Sequence, residues 1–97
     1  MFFSVHKMTG DPDDLMARKR QYMDPVTAEH AAGCGALWSV TVSHDDGIVT
    51  YNLWESAAGA AEFSRLPEAL QAQRESGLPM PSSFERHESP QVTFYTR

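Results

Sequence analysis

With 97 residues, 41 % of them apolar and 22 % charged, the chain has the composition of one small globular domain, residues 1–97. A net charge of −5, a single cysteine and no long apolar run exclude a general nucleic-acid binder, a disulfide framework or multi-cysteine zinc site, and a membrane-spanning helix. A domain this short buries only about 60–65 % of the surface its unfolded chain exposes, so a thin core completed by a partner subunit is expected.

Turn residues cut the chain into six pieces. Phe2 to Met8 is rich in β-formers and ends at Thr9-Gly10. Asp11 is placed to cap a helix, Pro12 suits its first position, and Asp13 and Asp14 complement the positive end of its dipole. Leu15, Met16, Tyr22 and Met23 recur at a seven-residue spacing and form its apolar stripe. Arg18, Lys19 and Arg20 are expected on a solvated face. Pro25 is expected to interrupt the helix, with a restart over residues 26–32 ended by Gly33.

Residues 36–43 alternate in strand fashion and lead through His44-Asp45-Asp46-Gly47, a strong hairpin signal, into a second arm from Ile48 to Trp54. One face of that arm carries Ile48, Thr50, Asn52 and Trp54; the other carries Val49, Tyr51 and Leu53. Ser56 caps a helix of small residues, and Pro67 kinks it or opens a further piece ended by Gly77. After the proline-rich Leu78-Pro79-Met80-Pro81, residues 84–95 read as a long strand, with Pro90 at a bulge or edge.

The order βαββαβ, with an antiparallel central hairpin, predicts a ferredoxin-like α+β domain: a four-stranded antiparallel sheet with helices on one face. Both faces of the second arm are apolar. The uncovered face is therefore expected to meet a second copy of the chain, giving a homodimer by sheet-to-sheet packing with Trp38, Tyr51 and Phe3 at the interface.

The run Tyr51-Asn52-Leu53-Trp54-Glu55-Ser56, followed by the alanine-rich 57–63, resembles the strand-to-helix junction of the antibiotic biosynthesis monooxygenase-like family. Gly35-Ala36-Leu37-Trp38 entering a strand fits the same pattern. The resemblance implies a dimeric α+β barrel and an activity among cofactor-free oxygenases of polyketide aromatics, quinol oxygenases and haem-degrading oxygenases. The quinone-forming members carry an asparagine four residues before the tryptophan. Here Thr50 stands there and Asn52 stands two before Trp54, on the same strand face but about 6.5–7 Å along. The haem-degrading members carry a second tryptophan and an axial histidine where this chain has Phe63 and Gln73, so haem is not implied.

Four histidines are candidates for proton transfer. His6 shares a strand face with Ser4 and Met8. It reads either as a base that takes an acidic phenol or enol proton, or as a half-buried histidine satisfied by backbone or water. His87 is expected exposed and ion-paired among Glu85, Arg86 and Glu88; His44 and His30 are expected at the surface. Their spacings match no local metal-ligand motif. Asn52 is unfavourable in a strand centre, so it either bonds a neighbour or lines a cavity where its amide holds a carbonyl or oxyanion. Trp54 is core or a wall that stacks on a flat ligand, with Tyr22, Met23, Phe63 and Leu66 opposite. Cys34, without a basic neighbour except His30, is not expected to be a nucleophile.

The expected function is a cofactor-independent monooxygenase acting on a small aromatic, polyketide- or quinol-type compound. His6 and Asn52 would be catalytic, and Trp54, Tyr22, Phe63 and Thr50 would bind substrate, with no metal. The alternatives are a non-redox cyclase or isomerase in the same pocket, or a non-enzymatic ligand-binding or structural dimer. Met1–His6 lacks the basic and long apolar segments of a signal peptide, so the expected location is the cytoplasm.

Overall fold

The structure, a computed structural model, describes residues 1–97. Strand β1 (Phe2–Thr9) leads into a long helical segment made of α1 (Pro12–Arg18), a wide π turn (Lys19–Met23) and α2 (Asp24–His30). A 3-10 turn (Ala32–Cys34) precedes the hairpin β2 (Ala36–His44) and β3 (Gly47–Trp54). Helices α3 (Ala57–Arg65) and α4 (Pro67–Ser76) follow, then β4 (Ser83–Glu88). The strands form one antiparallel sheet in the order β2-β3-β1-β4, the ferredoxin-like α+β arrangement.

Local chemistry accounts for the element ends. The Asp14 N–H donates to the Asp11 carboxylate at 2.9 Å, and the Gly59 N–H donates to Ser56 Oγ at 3.1 Å. Pro67 holds Leu66 extended (ψ 137°), which separates α3 from α4. The hairpin loop is Asp45-Asp46, and Gly47 is already the first residue of β3, opposite Thr9. It has to be glycine because a Cβ there would lie 1.9 Å from the Met8 carbonyl oxygen. Gly59 is constrained similarly: a Cβ would lie 2.0 Å from the Cys34 carbonyl oxygen, where α3 crosses the 3-10 turn.

The inner face of the sheet carries Phe2, Ser4, His6 and Met8 from β1 against Trp54, Asn52, Thr50 and Ile48 from β3. A bulge between Ala36 and Trp38 sets the register of β2, leaving Trp38, Val40 and Val42 opposite Leu53, Tyr51 and Val49 on the outer face. The inner core is a cluster of Phe2, Ala31 and Trp54, with Cys34, Ala36, Ala57, Ala60 and Phe63 packed around it. Leu15, Ile48, Ala69 and Ala72 are buried elsewhere under the helices. Each large apolar side chain so buried contributes about 1.5–3 kcal/mol. Only 13 of 97 residues are buried, so the core is thin.

Three expectations are corrected. Pro25 does not interrupt the helix. The wide turn just before it, closed by the Asp24 N–H donating to the Lys19 carbonyl, accommodates the proline ring and its missing donor, and the backbone stays helical across the junction. Gly35 (φ 89°), two residues beyond Gly33, supplies the left-handed exit. The last strand ends at Glu88 instead of running to Tyr95, because Ser89 takes a left-handed conformation (φ 53°) and Pro90 cannot donate to a ladder. Residues 90–97 have no regular structure, and Pro90 to Tyr95 share a shallow cleft with Phe3, Trp38 and Leu53 on the outer face.

Gly47→Ala and Gly59→Ala are each expected to cost about 2 kcal/mol or more, since a backbone carbonyl must move. Gly33→Ala, where a Cβ meets nothing within 4 Å, should stay within about 0.5 kcal/mol of wild type in chemical denaturation.

Candidate functional site

Between the inner sheet face and the helices lies a cavity of about 290 Å³, at the small end of ligand sites. Its floor is a polar row: Ser4 and His6 from β1, Thr50 and Asn52 from β3, and Ser39 from β2. The strand register builds that row, because Ser4 pairs with Asn52 and His6 with Thr50 across the β1–β3 ladder. Apolar walls come from Phe2, Met8 and Trp54 of the sheet, Met23 of the wide turn, and Phe63, Leu70 and Leu78 from α3, α4 and beyond. Trp54 and Phe63 meet at 5.6 Å between ring centroids, tilted by 44°.

The floor is internally hydrogen-bonded. Ser39 Oγ donates to Asn52 Oδ1 at 2.7 Å, and Asn52 Nδ2 donates to Ser4 Oγ at 3.5 Å. The hydroxyls of Thr41 and Thr50 lie 2.9 Å apart. Asn52 therefore both bonds its neighbouring strands and lines the cavity, and its amide group retains one further donor. The His6 ring stacks on Phe84 of β4, parallel within 4° at 5.9 Å. Burial, and secondarily the positive charge of Lys19, hold the His6 pKa below its ordinary value of about 6.5. The imidazole is thus neutral at physiological pH, with a free nitrogen lone pair suited to accepting a proton.

Of the residues expected at the site, His6, Asn52, Thr50, Trp54 and Phe63 line the same cavity. Tyr22 does not. It is half-buried outside the lining, because the wide turn shifts the helical phase so that Met23 reaches the cavity and Tyr22 does not; Leu66, at the extended link before Pro67, is half-buried outside it too. The remaining histidines lie elsewhere. His87 is on the outer face beside Glu85 (3.6 Å), His44 is exposed at the hairpin, and His30 is half-buried near Glu29 (3.7 Å) rather than at the surface. Cys34 is half-buried against the core.

Sequence reasoning missed two cations. Lys19 lines the cavity with its side chain only 19 % exposed, contrary to the solvated face expected for residues 18–20. A signal was present: Lys19 is four residues after buried Leu15 and four before Met23, hence on their helix face. Arg86 also lines the cavity, its guanidinium 5.1 Å from the Phe2 ring centroid. Only the β1–β4 register, which sets Arg86 opposite Ser4, reveals that placement. The lining holds no carboxylate.

A ferredoxin-like sheet with an aromatic-walled cavity between sheet and helices defines the class of protein. No family model and no curated protein sequence matches the chain. Solved structures do. A protein of Mycobacterium tuberculosis aligns over 96 % of this chain and 98 % of its own, with a TM-score of 0.70 and 16 % identity. A Chloroflexus aurantiacus protein provisionally named an antibiotic biosynthesis monooxygenase aligns over 96 % of both chains (TM-score 0.68, 16 % identity). A cofactor-independent oxygenase of Streptomyces nogalater aligns over 94 % of this chain and 92 % of its own (TM-score 0.65, 14 % identity). The chain has the fold of the antibiotic biosynthesis monooxygenases. No helix is long and apolar enough to cross a membrane.

The depressed His6 pKa makes stability pH-dependent. Below about pH 6.5 the unfolded chain takes up the His6 proton before the folded one does, so stability falls as pH drops through that range. The His6-dependent loss ends once the folded ring is protonated too. Denaturation of wild type and His6→Gln between pH 7.5 and 5 should show the smaller pH dependence in the variant. Parallel curves would contradict a depressed pKa.

Proposed function

We propose that the chain is a cofactor-independent oxygenase for a small aromatic compound with an acidic C–H or O–H, such as an anthrone or quinol. The observation that supports this reading is the row His6, Thr50, Asn52 facing the Trp54–Phe63 wall in one cavity. A flat ring stacks on Trp54, and neutral His6 removes its acidic proton. The remaining Asn52 N–H and the Thr50 hydroxyl hold the oxygen on which negative charge develops. The electron-rich anion passes electrons to dioxygen and the two join as a peroxide. Loss of water from the peroxide leaves the new carbonyl. For an anthrone the balance is one substrate plus one O₂ giving one quinone plus one water.

Anthrone consumption should take up one O₂ per quinone above the buffer rate. His6→Gln should lower turnover by about 100-fold or more, and Asn52→Ala by about 10- to 100-fold. Background-level rates in both air and nitrogen would sink the reading. The uncharged His6 also favours a second reading, acid–base isomerisation or cyclisation; turnover undiminished under nitrogen would select it.

We also propose that the outer sheet face pairs with a second copy of the chain. Trp38, Val40 and Val42 are each 37–43 % exposed there beside Phe3 and Tyr51, and a thin core is the usual companion of a subunit interface. Sedimentation should give a dimer mass for wild type and a monomer for Val40→Glu. A monomeric wild type at micromolar concentration would refute the pairing.

A further inference from the structure

We propose that Lys19, carried into the cavity by the wide turn ahead of Pro25, is the docking group for a negatively charged oxygen, so that the cavity takes a planar aromatic acid in preference to a neutral ring. This rests on the reading that the cavity holds an aromatic compound. It adds a charge that the ligand brings with it, as a carboxylate or an ionised phenol, before any proton is removed.

A lysine side chain is seldom withdrawn from water unless paired. The Lys19 ammonium donates one hydrogen bond to the Asp24 carboxylate, five residues along the same helical segment. An ammonium has three donors, so two remain. Asp24 itself is not part of the lining. The titratable groups that do line the cavity are His6, Lys19 and Arg86, without one Asp or Glu, in a chain whose net charge is −5. The cavity lining thus offers cationic donors and no anionic group, the partner carboxylates of Asp24 and Glu88 lying outside it, and apolar walls of low dielectric strengthen the pull of those donors on an anion.

Between the two cations, the structure favours Lys19 as the anchor. Arg86 is 57 % exposed, lies over Phe2 and has a carboxylate of Glu88 at 3.8 Å, so it is solvated and shared. Lys19 is 19 % exposed and held on both sides: the turn that bears it packs against α4, and Pro25 fixes the turn's width. A charge-assisted bond from a fixed, partly desolvated ammonium discriminates an anion from its neutral isostere by about tenfold or more. His6 and Lys19 divide the work: the lysine binds, while its positive charge helps keep the imidazole neutral.

The test uses 2-naphthoate and its neutral counterpart 2-naphthalenemethanol, titrated calorimetrically into the full chain. Wild type should bind naphthoate about tenfold or more tighter, with the preference shrinking as salt is added. Lys19→Met keeps the apolar stem and should bind both probes alike, at the wild-type affinity for the alcohol; Lys19→Arg should retain the preference. Asp24→Asn frees the ammonium and should raise the preference for naphthoate, and it serves as the second variant if Lys19→Met does not fold. Equal affinity for both probes in wild type, or an unchanged preference in Lys19→Met or Asp24→Asn, overturns the role of Lys19 while leaving an aromatic-binding cavity. Failure of wild type to bind either probe overturns both the role and the underlying reading.

Discussion

Pairing of β1 with β3 sets Ser4 against Asn52 and His6 against Thr50, and the rest of the site is arranged around that ladder. Side chains alternate along a strand, so a slip of one residue would turn the polar row to the outer face and bring Phe3 and Val5 under the helices. The burial of Phe2, Ile48 and Trp54 at the two ends of the paired strands holds the register. Between those apolar ends the row has room for polar groups, because its members satisfy one another: Ser39 with Asn52, Asn52 with Ser4, Thr41 with Thr50. No buried side-chain nitrogen or oxygen is left without a partner. A site of this kind costs little stability, since the amide and hydroxyl groups are oriented before any ligand arrives.

The roof is controlled by a proline. Pro25 has no N–H and its ring crowds the preceding turn, so the helix widens over Lys19–Met23 and continues as α2 without a break. The widened turn presents Lys19 and Met23 to the cavity and leaves Tyr22 outside it. A backbone defect on one element thereby determines which side chains oppose the sheet on another. The same turn packs against α4, whose C-terminal end is tied back to α1 by Arg18 donating to the Ser76 carbonyl at 3.1 Å. The helical layer is therefore held together by polar links as well as by its few apolar contacts.

The two faces of the sheet have different fates. The inner face spends its large side chains on a small core and a cavity, while Trp38, Val40 and Val42 stay in contact with water on the outer face. The aromatic residues near the C-terminus lie across part of that face, with Phe94 and Tyr95 still mostly exposed. A ninety-seven-residue chain has too little interior to bury both faces alone.

Much of this was legible in local chemistry. The cap at Asp11, the cap at Ser56, the hairpin signal and the alternation of residues 48–54 specify the elements and their order, and parity places His6 with Ser4 and Asn52 with Trp54. Those features are short-range, so the sequence by itself determined them. The width of the turn before Pro25, the absence of Tyr22 from the cavity, the end of β4 at Glu88 and the approach of Arg86 from β4 were decided by the tertiary structure. Each depends on how a backbone donor is satisfied or on which distant strand lies alongside. Neither is encoded in the spacing of residues along a single element, because both arise only when the sheet and the helices close on one another.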